Sequence, residues 1–276
     1  MMAAALVLMA TASPDAVGLA ILAVVTAIAS AVNSVAGGGT ILTFPALTAL
    51  LPDTPARMVI ANATSTIGLW PGAVAAAWAY RGDRTDQPAW ARWLLLPSVV
   101  GALVGSALVL VLPPEWFAAL VPWLILLSAV LFTVQPWVTG RAAAAAEAGN
   151  DQRPQSVAVA CGLQFLVAVY GGYFGAGIGI LMLAMLGMLR LGDIHRLNAV
   201  KNMLGMVVNG AAAVLFAVGS LLGSHEVAWW HAGVMAAAAV VGGLAGSHLA
   251  RRMPARLVRR LVAIIGFVLA GYYFLK

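Results

Sequence analysis

The sequence predicts an all-α polytopic membrane protein made of two inverted-topology repeats of about five helical segments each. Of its 276 residues, 63% are hydrophobic and 9% are charged, whereas soluble domains carry roughly 25% charged residues. Long apolar runs are separated by short loops that carry arginine, as in chains that cross a bilayer repeatedly. These observations exclude a cytosolic enzyme, a disulfide-stapled secreted domain and a transmembrane β-barrel, whose strands would alternate in polarity.

Ten apolar segments follow one another along the chain, and each is predicted to be helical. They cover residues 16–36, 40–51, 56–80, 90–112, 116–138, 156–174, 176–191, 197–220, 227–250 and 257–275. Because roughly 20 helical residues cross the hydrocarbon core, the third, fourth, fifth, eighth, ninth and tenth segments are long enough to span unaided. The other four form two adjacent pairs, each broken by glycine. Each pair is either a re-entrant hairpin or a span followed by a shortened helix.

One long hydrophilic stretch divides the chain nearly in half. We predict a first transmembrane repeat over residues 1–138, a cytoplasmic linker over 139–155 and a second transmembrane repeat over 156–276. The first 16 residues have a short apolar core without the basic residues that usually precede one in a signal peptide. We therefore expect an uncleaved lead-in to the first helix.

The basic residues predict the orientation. Loops 81–92 and 251–260 carry three and five arginines, whereas loops 113–115 and 221–226 carry no lysine or arginine. Positively charged loops stay in the cytoplasm, so we expect a multi-pass protein of the inner (cytoplasmic) membrane with both termini outside. Each glycine-broken pair must then return to the side from which it started. The two halves share their order of elements but have opposite charge bias, which indicates inversion.

Similar residues in the two halves support the repeat. VAGGGTILTFPAL at 35–47 aligns with FGAGIGILMLAML at 174–186, and IANATSTIG at 60–68 aligns with LNAVKNMLG at 197–205. In both halves the glycine-broken pair is followed by a span that starts with asparagine and other polar residues. The common order of these features favours a duplicated unit.

The glycine clusters are candidate binding elements. They comprise Gly37, Gly38 and Gly39 in the first half, and Gly171, Gly172, Gly175, Gly177 and Gly179 in the second. Irregular backbone at membrane depth is tolerated where protein or a water-filled cavity satisfies its amides. The helix that resumes at Thr40 would direct free N–H groups and a positive dipole end towards the break, which favours an anion. Close helix packing through small residues is the alternative.

Lys201 is the most informative polar residue. It lies about one turn inside an apolar segment, and an ionisable side chain in such a place is costly and usually functional. The alternative is snorkelling to the cytoplasmic interface. All nine acidic residues fall in loops or at segment ends, so carboxylate-based cation transport is disfavoured and an anionic substrate is favoured.

The residues 33–47, NSVAGGGTILTFPAL, and 61–68, ANATSTIG, resemble the TauE/SafE family of sulfite-exporter-like membrane transporters. The two-half layout extends the resemblance over nearly the whole chain. It implies movement of sulfite, sulfoacetate or related organosulfonates across the cytoplasmic membrane, outwards in some members and inwards in others. The second half departs from the pattern, since it has GAGIG in place of three glycines, Lys201 opposite Thr64, and Ala184 opposite Pro45.

We therefore expect a secondary transporter, and not an enzyme, that moves a small sulfur-containing anion across the membrane by alternating access. The expected partners are this anion and the lipid bilayer, without a nucleic acid, cofactor or metal ion, and homo-oligomerisation stays open. An anion channel and an integral-membrane enzyme acting on a lipid are the alternatives. The predicted substrate-binding residues are Asn33, Gly38, Gly39, Thr40, Asn62, Thr64, Ser65, Gly177, Asn198, Lys201 and Asn202.

Overall fold

The computed structural model describes residues 15–79, 89–148, 157–188, 194–249 and 255–275, and these ranges contain helices and no strand. The α-helices are α1 (Ala16–Ala36), α2 (Thr40–Leu50), α3 (Arg57–Ala79), α4 (Leu95–Val111), α5 (Pro114–Ala148), α6 (Val157–Tyr173), α7 (Ile178–Met188), α8 (Ile194–Leu221), α9 (Trp229–Leu249) and α10 (Ala255–Leu275). A 3-10 helix, Ala89–Leu94, leads into α4. Each of the ten predicted segments corresponds to one α-helix, which confirms the all-helical fold class.

Helix α5 is longer than its apolar segment. Its 35 residues continue to Ala148 and so include the first part of the stretch predicted as a linker. That part is rich in alanine, the residue with the highest helix propensity. The Arg141 guanidinium also lies 3.6 Å from the centre of the Trp137 ring, a cation–π contact across one turn of the helix. The remaining linker residues, 149–155, lie outside the described ranges.

Within the described residues, five helices are long and apolar enough to cross a membrane, namely α1, α4 with its preceding 3-10 turn, α5, α8 and α9. Four of these belong to the six predicted spans. Helix α3 has 23 residues but is less apolar because its first half carries Asn62 and three hydroxyl residues. Helix α10 carries three arginines within its first six residues and is apolar after them. Helix α1 is also long and apolar enough to cross a membrane, although we assigned it to a glycine-broken pair.

Helices of the two halves interleave in space. Helix α4 packs mainly on α6 and α8, whereas α9 packs mainly on α1 and α3. Replacing each helix by its counterpart five places along the chain converts one set of neighbours into the other. The pairs α5–α10 and α3–α8 convert into themselves. This exchange agrees with a duplicated unit, while the inversion of one repeat relative to the other stays a prediction.

Glycine allows two of these helix pairs, α4–α6 and α9–α1, to approach closely. A Cβ atom at Gly105 of α4 would meet the carbonyl oxygen of Val169 in α6, and one at Gly242 of α9 would meet that of Ala27 in α1. Neither position has room for a side chain. Backbones that approach this closely through glycine are typical of helix pairs in membranes.

Candidate functional site

Helices α1 and α2 form a hairpin. A Cβ atom at Gly18, near the start of α1, would lie 2.8 Å from Cδ2 of Leu50 at the end of α2. One at Gly39 would lie 2.5 Å from the carbonyl oxygen of Ala29. Helix α2 therefore runs back along the first part of α1, and the chain returns to the level from which it started. The hairpin pairs α1, which is long enough to cross a membrane, with the shorter helix α2.

The two glycine breaks touch each other through their backbones. Gly37 and Gly38 have φ values of 71° and 127°, which L side chains rarely adopt. A Cβ atom at Gly37 would lie 2.5 Å from Cα of Gly179, and one at Gly38 would meet the backbone nitrogen of Gly177. Glycine is therefore required at this crossing for both conformation and space. The two broken pairs therefore meet at this crossing.

The side chain of Asn33, on the last turn of α1, holds the backbone of the first glycine break. Its Oδ1 accepts hydrogen bonds from the backbone amides of Gly38 at 2.7 Å and Gly39 at 3.4 Å. The backbone amides of two predicted binding residues, Gly38 and Gly39, are thus satisfied by the protein's own carboxamide. A third predicted binding residue, Thr40, is the first residue of α2, and its backbone amide has no acceptor within its helix.

A small cavity lies beside this crossing, where the end of α1 meets α3, α7 and α8. Its volume of about 20 Å³ is enough for about one water molecule. Three predicted site residues, Asn33, Lys201 and Asn202, line it. The other lining residues are Ser34, Gly37, Ala73, Ala76, Ile178, Gly179, Met182, Gly205, Met206 and Asn209.

The electrostatic character of the cavity is positive. Lys201 is only 2% exposed and lines the cavity, so its side chain does not snorkel to the outer surface. The buried Nδ2 of Asn202 has no hydrogen-bond partner. Ile178 and Gly179 open helix α7, whose N-terminus carries partial positive charge. No acidic residue lines the cavity among those that the structure describes, so the groups gathered here suit an anion.

The polar residues that open α3 are bound to other parts of the protein. Nδ2 of Asn62 donates to the carbonyl oxygen of Tyr173 at 3.0 Å, and Oγ1 of Thr64 accepts from the backbone amide of Ala228 at 3.1 Å. The Ser65 hydroxyl lies 2.6 Å from that of Thr43 on α2. These three predicted residues join helices to one another and do not line the cavity.

The other predicted residues lie around the crossing. Oγ1 of Thr40 lies 3.9 Å from the place that a Cβ atom of Gly175 would occupy, while Gly177 packs under Gly38. Asn198 is half-buried one turn before Asn202 on α8 and does not line the cavity. The structure thus divides the predicted set into a cavity group and a surrounding group.

Sequence reasoning missed Asn209. It lies seven residues after Asn202 on α8, so both side chains are on one face of the helix, and both line the cavity. An asparagine in the middle of an apolar span was an available signal, because a polar amide is costly there unless it is bonded. Gly37 and Gly179 were noted as break residues but not as lining residues.

A cluster of aromatic rings packs on the opposite side of the break. Helix α2 leads from the break back towards the start of α1, and its Phe44 ring lies 5.5 Å from that of Phe174 and 6.4 Å from that of Phe117, between ring centres. Tyr173 and Tyr273 extend the cluster. Phe44, Phe117 and Phe174 are almost completely buried. The polar cavity therefore ends at a closed apolar layer.

The chain is similar to proteins described as membrane transporters. The family model for the sulfite exporter TauE/SafE matches residues 20–273. A "Probable membrane transporter protein" of Haemophilus influenzae is 26% identical over 92% of this chain and 93% of its own length. The "Probable membrane transporter protein ORF9" of a Sinorhizobium species is 27% identical over 91% and 90% of the two chains.

A third relative, the "Probable membrane transporter protein YfcA" of Escherichia coli K12, is 23% identical over 92% of this chain and 88% of its own length. No solved structure matches the chain. The family model covers nearly all ten helices, and the relatives align with this chain over almost their full lengths. The described residues include five helices that are long and apolar enough to cross a membrane. The chain belongs to the TauE/SafE sulfite exporter family and is a membrane transporter rather than an enzyme.

Proposed function

We propose that this transporter carries a small sulfur-containing anion, such as sulfite, sulfoacetate or another organosulfonate, through the cavity beside the two glycine breaks. The observation that carries the proposal is the buried Lys201, which lines a cavity without carboxylates at the point where both breaks meet. Membership of the family supports the substrate class.

The lining offers donors that match a sulfonate or sulfite group. Such an anion presents up to three oxygens, each of which accepts hydrogen bonds. The Lys201 ammonium and the unpartnered Nδ2 of Asn202 supply donors from α8, and the N-terminus of α7 supplies partial positive charge from the other side. The amides of Gly38 and Gly39 become available when the Asn33 carboxamide moves away. Charge-assisted hydrogen bonds of this kind are the strong ones.

Alternating access is the mechanism that the geometry favours. A cavity of about 20 Å³ is too small for a sulfonate, so the anion enters only when its lining helices separate. Helix α2 and its aromatic cluster close the other side. A carrier passes through such closed states, whereas a channel needs a continuous path. The exchange symmetry of the helix contacts supports two repeats that move against each other.

We further propose the orientation that the arginine-rich loops predict. Both termini then lie outside the cytoplasmic membrane and residues 139–155 lie in the cytoplasm. In this orientation the first hairpin starts and ends outside, in agreement with the contact between Gly18 and Leu50. A homo-oligomer is compatible with this arrangement, since all the cavity residues come from one chain.

Transport into proteoliposomes tests the function. Purified protein is reconstituted, and uptake of sulfite, sulfoacetate, isethionate and sulfate is measured with and without the same anion inside. We expect saturable uptake of at least one sulfonate or sulfite that is accelerated by internal substrate, the behaviour of a carrier. Uptake that is linear in concentration and indifferent to internal substrate would indicate a channel.

Two variants connect the flux to the cavity. Replacing Lys201 by alanine removes one charge-assisted hydrogen bond, worth about 1.5–3 kcal/mol, so we expect binding to weaken about 10- to 150-fold. Replacing the exposed Arg92 by alanine is the control and should leave uptake unchanged. If Lys201→Ala left flux and binding untouched, the proposed site would be wrong.

A further inference from the structure

Helices α5 and α10 pack antiparallel along the outside of the bundle. The Trp123 and Phe274 rings lie 4.9 Å apart, edge to face, near the start of α5 and the end of α10. Farther along, a Cβ atom at Gly266 would lie 2.8 Å from Cβ of Ala129. The helices are therefore in close contact over this half of their shared length.

Beyond Gly266 the two helices enclose a groove of about 560 Å³. Its walls are mostly apolar, with Pro136 from α5 and Ile264 and Phe267 from α10, and the buried ring of Phe132 forms its floor. Arg260 is the charged residue that lines it within the described part of the chain. Ile264 and Phe267 are 59% and 44% exposed, so the groove opens on the outer, apolar surface of the helix bundle.

Arg260 lies at the depth where a bilayer changes from hydrocarbon to headgroups. The apolar segment of α5 ends at Val138, half a turn after Pro136 in the groove wall, because Thr139 and Arg141 follow in the sequence. Trp137 is exposed at this level and carries Arg141 over its ring, and tryptophan is enriched at membrane interfaces. The arginine end of the groove therefore faces the headgroup layer and the rest of the groove faces acyl chains.

The charge of the groove determines what it can hold. Among the described residues, its lining contains Arg260 and no acidic residue. A basic residue in a groove between helices at the headgroup level suits an anionic lipid headgroup.

We propose that this groove is a binding site for one anionic phospholipid. The Arg260 guanidinium binds the phosphate, and an acyl chain lies along Ile264 and Phe267 against Phe132. The same Phe132 ring contacts the first break, because a Cβ atom at Gly38 would lie 3.0 Å from its Cε2. A bound lipid thus packs against the side chain that supports the glycine crossing. Lipid binding itself does not depend on which substrate is transported.

Native mass spectrometry of the purified full chain tests the proposal, by titration with phosphatidylglycerol or with phosphatidylcholine of identical acyl chains. We expect the wild type to bind one phosphatidylglycerol more tightly than phosphatidylcholine. Arg260→Gln should weaken phosphatidylglycerol about fivefold and remove the preference. Arg92→Gln, which removes an exposed arginine away from the groove, should not.

A second pair of variants tests the acyl-chain part of the groove. Ile264→Trp fills the groove and should weaken both lipids, whereas Val268→Trp, one turn later on α10 and 66% exposed outside the groove, should weaken neither. Equal affinity of the wild type for the two lipids, or an Arg260→Gln variant with unchanged preference, would overturn the proposal. A homodimer without bound lipid that is dissociated by Ile264→Trp would also overturn the proposal, because a second copy of the chain would then occupy the groove.

Discussion

The replacement of Gly37 by alanine is the sharpest test of the crossing between the two breaks. Its added Cβ would lie 2.5 Å from Cα and 2.7 Å from the backbone nitrogen of Gly179. These neighbours are main-chain atoms, which cannot turn aside as a flexible side chain can. The residue must also keep a φ of 71°, a conformation that strains alanine.

The two costs of Gly37→Ala can be sized separately. A non-glycine residue in the left-handed region costs about 1–3 kcal/mol, and overpacking of a closed contact costs about 1–3 kcal/mol more. We therefore expect the free energy of unfolding to fall by about 2–6 kcal/mol. If the helices move apart to relieve the clash, the contact between the two breaks is lost. With about 2–4 °C per kcal/mol, the melting temperature should fall by at least about 4 °C.

Thermal unfolding in detergent, followed by intrinsic fluorescence, measures this loss, and anion uptake in proteoliposomes measures its functional effect. Gly162→Ala is the matched control, because Gly162 is an exposed helical residue of α6 whose added Cβ would have nothing within 4 Å. That control should be neutral or up to about 1 kcal/mol more stable, since alanine is the better helix former. A Gly37→Ala protein that melts with the wild type and transports normally would refute the contact between the breaks.

Three further replacements separate residues that hold the helices together from residues that face the substrate. Asn62→Ala leaves the buried carbonyl of Tyr173 without its donor and should cost about 1–3 kcal/mol in thermal unfolding; unchanged stability would show that this bond is not made. Thr64→Val keeps the shape of the side chain but removes the acceptor of the Ala228 amide, so we expect the free energy of unfolding to fall by about 1 kcal/mol. A melting temperature equal to that of the wild type would contradict this. Asn209→Leu places an apolar side chain in the cavity and should reduce anion uptake more than stability; normal uptake would place Asn209 outside the path.

The helices and the breaks could be predicted because their signals are local. Apolar runs of known length determine where helices lie, and three successive glycines interrupt a helix wherever they occur. The position of Lys201 in a cavity could also be anticipated, because a buried ammonium needs polar surroundings. The continuation of α5 to Ala148 was missed because the stretch was read for its polarity, whereas its alanines favour a helix.

The division of the polar residues could not be predicted from the sequence. Asn62 and Asn202 are both asparagines in the first half of the helix that follows a glycine-broken pair, α3 and α8 respectively. Asn62 donates to a carbonyl 111 residues away, while Nδ2 of Asn202 is unpartnered and Asn202 lines the cavity. The difference depends on which helix packs opposite, and a single sequence does not encode that neighbour in any local pattern. Asn33 is a similar case, since its bonds to Gly38 and Gly39 depend on the turn between them.

The aligned positions of the two halves carry different chemistry, and this difference bears on the proposed mechanism. Thr64 and Ser65 align with Lys201 and Asn202, yet the first two join helices beside the closed aromatic cluster while the second two line the cavity. In a symmetric carrier, the two conformations would exchange these surroundings. Thr64 has no charge to offer, so the proposed anion must stay with the Lys201 ammonium of the second repeat in both conformations. The first repeat then serves mainly to open and close access, and substrate selectivity should respond to changes at Lys201 and Asn202 more than at Thr64 and Ser65.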